Sequence, residues 1–592
     1  MTNRLLRAAC VLLLCAAALS AAAPLPYRFL LVVDKQWKDP ASKLIEPGGE
    51  FPAVVTLLKT WGLPFDILRL DQQRFDRYYL LDREGRPRYG TIIWDAAPGT
   101  GDPRDMALLT SLVNGDGLGL VVLGDTIATP EAAAAAGLEY RGPYRLSDGL
   151  TIAADHFITQ GLQERAGEFP SADGSYIPGT HVAVKDATVL ASRGRLPFLT
   201  VRGRTVWLGA DRASVQIARQ IVRDLFKRSL VHAQGYALIA EYPKSMLLFM
   251  DDFGTSDRTY LPYWHYRTLD ENAIRQGLIE PLKRHHAVLM EDIVSGYVDR
   301  KNRRIVSPWT QQVIDEIDGK TLHDYVSAKR GLDAGVREGV LEIQSHGYTH
   351  MLPDLESPPG PFWDAPMDGA GTLGFDEEFG DRLRNRDVPA ITQRFLMERG
   401  LEYIRRDFGA VPLFVINGGS GKSLSYPHHS ARLAAEMGFG LGHFNAVWYL
   451  GKDLALAMES IVHTGGWGHN RPIPEIAWST DAPHFLVFHD RDISIDTTAA
   501  ERLLTGLGPG IRYMTANEYA GYLHAAAERD AATGSLVLNY DEHYCRYFAG
   551  HTSTWVLHLS DETRRGLKTG APATRAIVIP KGTGRHVVPL VE

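Results

Sequence analysis

Two apolar runs that stop abruptly at metal-binding types of side chain constrain this chain more than anything else in it. SMLLFMDDFG (residues 245–254) ends at the adjacent carboxylates Asp251 and Asp252, and LEIQSHGYTH (residues 341–350) ends at His346 and His350. Each reads as a buried strand with polar side chains at its C-terminal end, where α/β folds assemble their active sites. One carboxylate and two imidazoles suffice to hold a divalent metal with coordination positions left open. The second carboxylate is then placed as a base beside the activated water. Either pair alone is a weak signal: adjacent acids also make solvated turns or helix caps, and His-x-x-x-His recurs by chance. Their joint occurrence after two strands of one region carries the reading.

The chain has 592 residues, a formal net charge of −7 and 45% hydrophobic content, enough for three or four domains. It has neither the basic excess of a nucleic-acid binder nor a long basic tract for an anionic membrane surface. Arg4 and Arg7 precede an apolar run from Ala8 to Leu19 and a small-residue stretch ending at Ala23. That is the pattern of a secretory signal peptide over residues 1–22 and predicts a secreted or periplasmic protein. Leu14 is too large to precede a lipidated Cys15, which argues against a lipoprotein anchor there. No other apolar stretch is long enough to span a bilayer. Cys10 and Cys15 fall in the signal, so Cys545 has no intrachain disulfide partner.

Three regions follow the signal. In 25–231, strands are expected over 29–33, 65–70, 91–94, 118–123 and 205–208, with helices over 52–61 and 214–230. Their alternation predicts an open, mostly parallel α/β sheet, with antiparallel strands over 181–210 turning at Arg202-Gly203-Arg204. In 242–527, strands over 246–250, 287–290, 340–344, 412–416, 439–443 and 485–488 alternate with helices such as 324–337, 391–406 and 429–437, predicting a distorted (β/α) barrel. The Pro-, Gly- and Asp-rich insertion at 353–387 reads as an active-site loop. Region 533–592 has short alternating runs and reads as a small β-sandwich, short enough to pack on the barrel.

The acid pair and the histidine pair resemble the first two motifs of the polysaccharide deacetylase (NodB-homology, carbohydrate esterase) superfamily. The resemblance covers the middle half of the chain. It implies a metal-dependent deacetylase in which Asp251 is the general base and Asp252, His346 and His350 are the metal ligands. HFLVFHD (residues 484–490) stands where that family places its general acid, which implies this role for His489. The implied metal is zinc, with Co2+, Ni2+ or Fe2+ suited to the same ligands. The implied substrate is an N-acetylated polysaccharide, with exopolysaccharide machinery as partner. Met250 stands where the family has an aromatic, and PLFVINGGSGK (residues 412–422) replaces its Arg-x-Pro-Pro-Tyr run. The chain therefore resembles a divergent, large multidomain branch, similar to exopolysaccharide and galactosaminogalactan deacetylases. The 25–231 region resembles flavodoxin-like glutamine-amidotransferase domains but has no cysteine to serve as nucleophile, so it is expected to be non-catalytic, as a glycan- or partner-binding module.

Further candidates surround this set. With the family arginine missing, Asn417 is a candidate oxyanion donor. Glu291 and Asp292, also at a strand end, are candidates to touch substrate or to orient the base. Trp363 and Trp467 are candidate sugar platforms, and His463 and His469 candidate cleft residues. GGSGKS (residues 418–423) is not a phosphate loop, because Ile416 stands where that pattern needs glycine. Two other classes fit parts of the pattern. A barrel glycosidase using Asp251 or Asp252 with Glu291 would cleave chains without metal. A glycan-binding or assembly protein would bind without releasing acetate. The particular sugar polymer and the oligomeric state are not encoded legibly.

Overall fold

The computed structural model describes residues 25–34, 50–70, 73–96, 103–146, 149–153, 156–168, 177–210, 219–354, 363, 377–381, 385–423, 425, 427–443, 463–540, 555–567, 572–579 and 584–590. The signal-like residues, Cys545, Trp448 and most of the 353–387 insertion lie outside them. Among the described residues, no helix is long and apolar enough to cross a membrane.

The chain is α/β. In the first region Phe65–Arg69, Phe29–Val33, Thr91–Asp95, Gly119–Leu123 and Thr205–Leu208 lie side by side in parallel. Leu196–Arg202, Thr188–Arg193 and Leu150–Ile152 extend the sheet antiparallel. Every residue of Phe29–Val33 and Gly119–Leu123 is buried, as required of parallel strands covered on both faces. The turn expected at 202–204 is present, with Gly203 at φ +55°, a left-handed conformation that costs glycine nothing.

The second region carries the sheet that positions the candidate site. Its strands are β1 (Ser245–Phe253), β2 (Leu289–Ile293), β3 (Leu341–Ser345), β4 (Phe414–Ile416), β5 (Leu441–His443), β6 (His463–Gly466), β7 (His484–His489) and β8 (Arg512–Tyr513). They run in the order β5-β4-β3-β2-β1-β7-β6, all parallel, with β8 added to the start of β1. Among the described residues β5 and β6 do not pair, so the distorted barrel is open there. All nine residues of β1 are buried. Leu247 and Phe249 enter one hydrophobic cluster; Met246, Leu248 and Met250 enter another, which is the period of two expected of a strand. Phe249 packs against Phe414 at 4.7 Å and Phe485 at 5.2 Å between ring centroids.

Residues 533–592 do not pack as a free-standing unit. Leu536–Asn539 lies between Ala526–Arg529 and Arg585–Val588. Trp555–Leu559 lies between Thr574–Ile577 and Tyr236–Ala240, a strand that immediately precedes β1. A segment this short is marginal alone, and its described residues join a core that already exists. One hydrophobic cluster runs from Trp61 and Tyr236 through Tyr519 to Trp555.

A buried ion cluster ties the first two regions together. Asp481, just before β7, is fully buried and contacts Arg223 at 2.7 Å and Lys227 at 2.6 Å, both from the helix Gln220–Gln234. It also accepts from Trp61 Nε1 at 3.2 Å. Burial pushes the Asp481 carboxyl up, but Lys227 and Arg223 outweigh it and hold it at about 2, against an ordinary 3.8. Its contribution is therefore complete above pH about 4 and is lost as pH falls through about 2. Asp481→Ala leaves two buried cations uncompensated and is expected to destabilise the fold by about 3–5 kcal/mol. Asp481→Asn is expected to flatten the acid limb of a plot of unfolding temperature against pH. An acid limb unchanged in the Asn variant would show that the cluster does not couple folding to pH.

Candidate metal centre and active site

The acid pair stands at an irregularity in the sheet. β1 and β2 pair Met250 with Glu291 and Phe253 with Ile293, so Asp251 and Asp252 together oppose the single residue Asp292. This two-against-one bulge re-aims consecutive side chains, which a regular strand would send to opposite faces. Asp252 pays for it with φ +75°, a strained backbone for a residue with a Cβ. The fully buried Arg258 donates to the Asp252 carbonyl at 2.8 Å and holds that conformation. The same guanidinium meets Asp490 at 2.5 Å, and Tyr266 donates to Asp490 at 2.7 Å. On its other side β1 pairs with β7, where Asp251 is in direct register with His489.

The histidine pair is set by the loop that follows β3. The backbone N–H of His346 donates to Ile293 of β2. Gly347 and His350 adopt φ +85° and +61°, and a Cβ on Gly347 would lie 2.0 Å from Glu378 Oε2. Glu378 receives the backbone N–H groups of Tyr348 and Thr349 at 2.8 and 3.0 Å. Burial pushes the Glu378 carboxyl up to about 7 against the pull of those donors. Asp257, in the turn after β1, contacts His350 Nδ1 at 2.7 Å, which leaves His350 Nε2 aimed at the acid pair.

Asp252, His346 and His350 converge, with one ligand atom from each within 4.8 Å of the others. Asp252 Oδ1 lies 3.1 Å from His346 Nε2 and 3.5 Å from His350 Nε2. Two ligands at zinc distances in tetrahedral geometry sit about 3.3 Å apart, so these separations fit a metal without rearrangement. Asp252 Oδ2 is buried and has no hydrogen-bond partner, as a further ligand atom would. Burial pushes the Asp252 carboxyl up, but His489, His346 and His350 together hold it well below the usual carboxylate range. An oxygen, two imidazole nitrogens and a cation-attracting field suit a divalent transition metal.

His489 Nε2 lies 3.7 Å from Asp252 Oδ2. Its ring accepts the backbone N–H of Asp492, whose own carboxylate accepts the N–H of His489 and contacts His469 Nδ1 at 2.8 Å. Glu291 and Asp292 are both fully buried, and none of their four carboxylate oxygens meets a donor. Burial first, and then the charge of Asp490, pushes Glu291 well above its ordinary range. Burial first, and then the charge of Asp251, does the same for Asp292. Asp292, opposite the acid pair across the bulge, is thereby driven toward the neutral form.

The structure brings together Asp251, Asp252, His346, His350 and His489. Asn417 is buried, with Oδ1 unpartnered, and precedes Gly418, where a Cβ would lie 2.5 Å from the His350 ring. Two expectations need correction. Glu291 is sealed from solvent and does not face a substrate. Trp467 is only 3% exposed, packs edge-on to Phe488 and donates to the Arg471 carbonyl; it is a core residue, because the Gly-rich segment around it folds back onto the sheet. Trp363 is half-buried beside the cluster of Tyr260, Leu261, Val298 and Met351. His463 begins β6, and its side chain lies outside the described residues. Sequence reasoning missed Asp257, Arg258, Tyr266 and Glu378. Their partners lie far along the chain, and no local motif announces them.

A second group, His265, Asp315 and Asp318, also has donor atoms close together. Its carboxylates accept backbone N–H groups of Ile317, Asp318, Lys320 and Thr321, and Asp315 also contacts the buried His323 at 3.1 Å. It is a hydrogen-bonded turn that anchors the segment carrying Trp264 and Tyr266.

The sequence matches no family model and no curated relative. Solved structures similar to this chain include the BpsB deacetylase domain from Bordetella bronchiseptica, at 13% identity over 41% of this chain and 71% of that one, with a TM-score of 0.21. A mutant CE4 family pseudoenzyme with restored enzymatic activity is similar at 12% identity over 48% and 70%, with a TM-score of 0.25. A glutamine amido transferase from Methylobacillus flagellatus is similar at 10% identity over 36% and 96%, with a TM-score of 0.23. Likeness at this level carries no argument about activity.

The Asp257–His350 contact generates a direct test. Asp257→Ala frees the imidazole to rotate and is expected to lower divalent-metal affinity about 10–100-fold, read by competition with a chromophoric chelator. Unchanged affinity would show that His350 is oriented by other contacts or is not a ligand.

Proposed function

We propose that this chain is a secreted or periplasmic, metal-dependent N-deacetylase that removes acetyl groups from hexosamine residues of a polysaccharide. The observation that carries the reading is the convergence of Asp252, His346 and His350, with Asp251 next to Asp252 and in register with His489, whose Nε2 lies 3.7 Å from Asp252 Oδ2. Residues 1–22 supply the reason to place it outside the cytoplasm.

Amide hydrolysis needs an activated water, a polarised carbonyl and a proton for the departing nitrogen. A divalent metal held by Asp252, His346 and His350 supplies Lewis acidity and a water of lowered pKa. Asp251, whose Oδ1 has no protein donor, accepts the proton released as the water attacks the acetyl carbon. Asp292, opposite the acid pair and driven toward the neutral form, is the candidate to donate to Asp251 and orient it, the task that an arginine performs in the family this chain resembles. His489, protonated at both ring nitrogens once it gives up the Asp492 N–H, passes its Nε2 proton to the sugar nitrogen as the C–N bond breaks, leaving acetate and a free amine. Arg258 keeps Asp252 and Asp490 in place from behind the site. Asn417, beside His350, is the candidate donor to the developing oxyanion.

Acetate release from N-acetylhexosamine polymers tests this. Release is expected to vanish on chelation, to return with zinc, and to be absent in His346→Ala. Chain cleavage that survives chelation would point instead to a glycosidase, and metal bound without any acetate release would reject the reaction while leaving the metal centre. A finer test concerns Asp292. Asp292→Ala is expected to lower kcat about 10–100-fold with little change in KM, and Asp292→Asn, which keeps a donor, to retain more activity. Equal losses in the two variants would remove the orienting role.

A further inference from the structure

A cavity of about 990 Å³ opens where three parts of the chain meet. Its walls come from the helix Gln220–Gln234, from the loop that leads into β7, and from the ends of Tyr236–Ala240 and Trp555–Leu559. Glu241 precedes β1 and Trp478 precedes β7, so the cavity lies at the N-terminal ends of those strands. Asp251 and His489 stand at their other ends. The cavity is therefore separate from the candidate metal centre.

Five cationic side chains and two carboxylates line it. Both carboxylates are engaged: Asp224 meets Arg165 at 2.7 Å, and Glu241 meets His558 at 3.1 Å. Arg223 and Lys227 are turned to Asp481. Arg228 is different. It donates to the carbonyls of Gln160 at 2.6 Å and Ile158 at 3.5 Å, so dipoles meet its charge. Burial pushes its guanidinium down against the pull of Asp224, with smaller opposing effects from Arg165 and Glu241. Beside these groups the half-buried Trp478 ring is held in place by His484 at 5.1 Å and by Lys244 at 5.9 Å.

A fixed indole, a half-buried guanidinium and two rim carboxylates form a chemically specific set. The indole offers a flat apolar surface for a sugar ring. The guanidinium pairs with a carboxylate or sulfate, and Asp224 and Glu241, though engaged by Arg165 and His558, keep further lone pairs that can accept from hydroxyls. The volume lies at the upper end of the range for small-ligand sites, larger than an inorganic ion requires. We propose that this cavity binds a sugar unit bearing an anionic group, with Trp478 against the ring and Arg228 on the acid. The proposal stands independently of the hydrolysis described above.

Isothermal titration of the whole protein with tetragalacturonate, chitotetraose and inorganic sulfate tests it. Tetragalacturonate is expected to bind at one site, more weakly as salt rises, with chitotetraose bound far less well. Arg228→Glu and Trp478→Ala are each expected to weaken binding by about tenfold or more, while Asp252→Ala leaves it unchanged. Trp478→Ala, which removes no hydrogen bond from the fold, decides the matter if Arg228→Glu lowers the unfolding temperature. Absence of tetragalacturonate binding, or equal binding of chitotetraose, would overturn the proposal. So would sulfate binding of equal strength that ignores Trp478→Ala, which would leave an anion site only. Loss of binding in Asp252→Ala would place the saccharide in the metal centre instead.

Discussion

The carboxylates Asp251, Asp252, Glu291, Asp292 and Asp490 meet at the ends of three adjacent strands, with Arg258 as the counter-charge among them. Such a group cannot be fully ionised in a buried setting, because repulsion and desolvation both oppose it. The structure resolves the conflict by dividing the roles. Asp252 stays anionic because three imidazoles face it. Glu291 and Asp292 are driven toward the neutral form by burial and by the acids around them. A divalent cation at Asp252, His346 and His350 would relieve the remaining excess, so the electrostatics that make the site costly to fold also make it receptive to metal.

The geometry that permits this is backbone geometry. Without the bulge between Met250 and Phe253, Asp251 and Asp252 would point to opposite faces of the sheet and only one would reach the histidines. Asp252 and His350 both occupy the left-handed region, and each is held from outside, by Arg258 and by Asp257 respectively. The strain sits at ligand positions and the restraint sits one layer behind, the usual arrangement where precise placement is worth its conformational cost.

Much of this was legible in the sequence, but unevenly. The strands were readable because their apolar runs are long, β-branched or aromatic, and bounded by turn residues; β3 ended at its polar pair, whereas β1 ran on through the acid pair to Phe253. The acid pair and the histidine pair came from side-chain type at strand ends, and His489 from the family resemblance. The supporting residues did not. His350 finds Asp257 and Arg258 finds Asp490 across 93 and 232 positions, and no local pattern encodes such pairings. Trp467 misled because a glycine-rich neighbourhood reads as an exposed loop while the ring supplies core volume. The tail, 533–592, read as a unit because its alternation is clear, yet alternation does not say which sheet a strand joins.

That last point bears on how the molecule is made. Tyr236–Ala240 leaves the ribosome long before Trp555–Leu559, the strand that pairs with it. Until the end of the chain arrives, an apolar strand immediately ahead of β1 has an open row of hydrogen-bonding groups, the kind of edge that recruits other strands. The final strands then close a sheet opened near the middle of the chain, and they act as a latch set only once they have been synthesised.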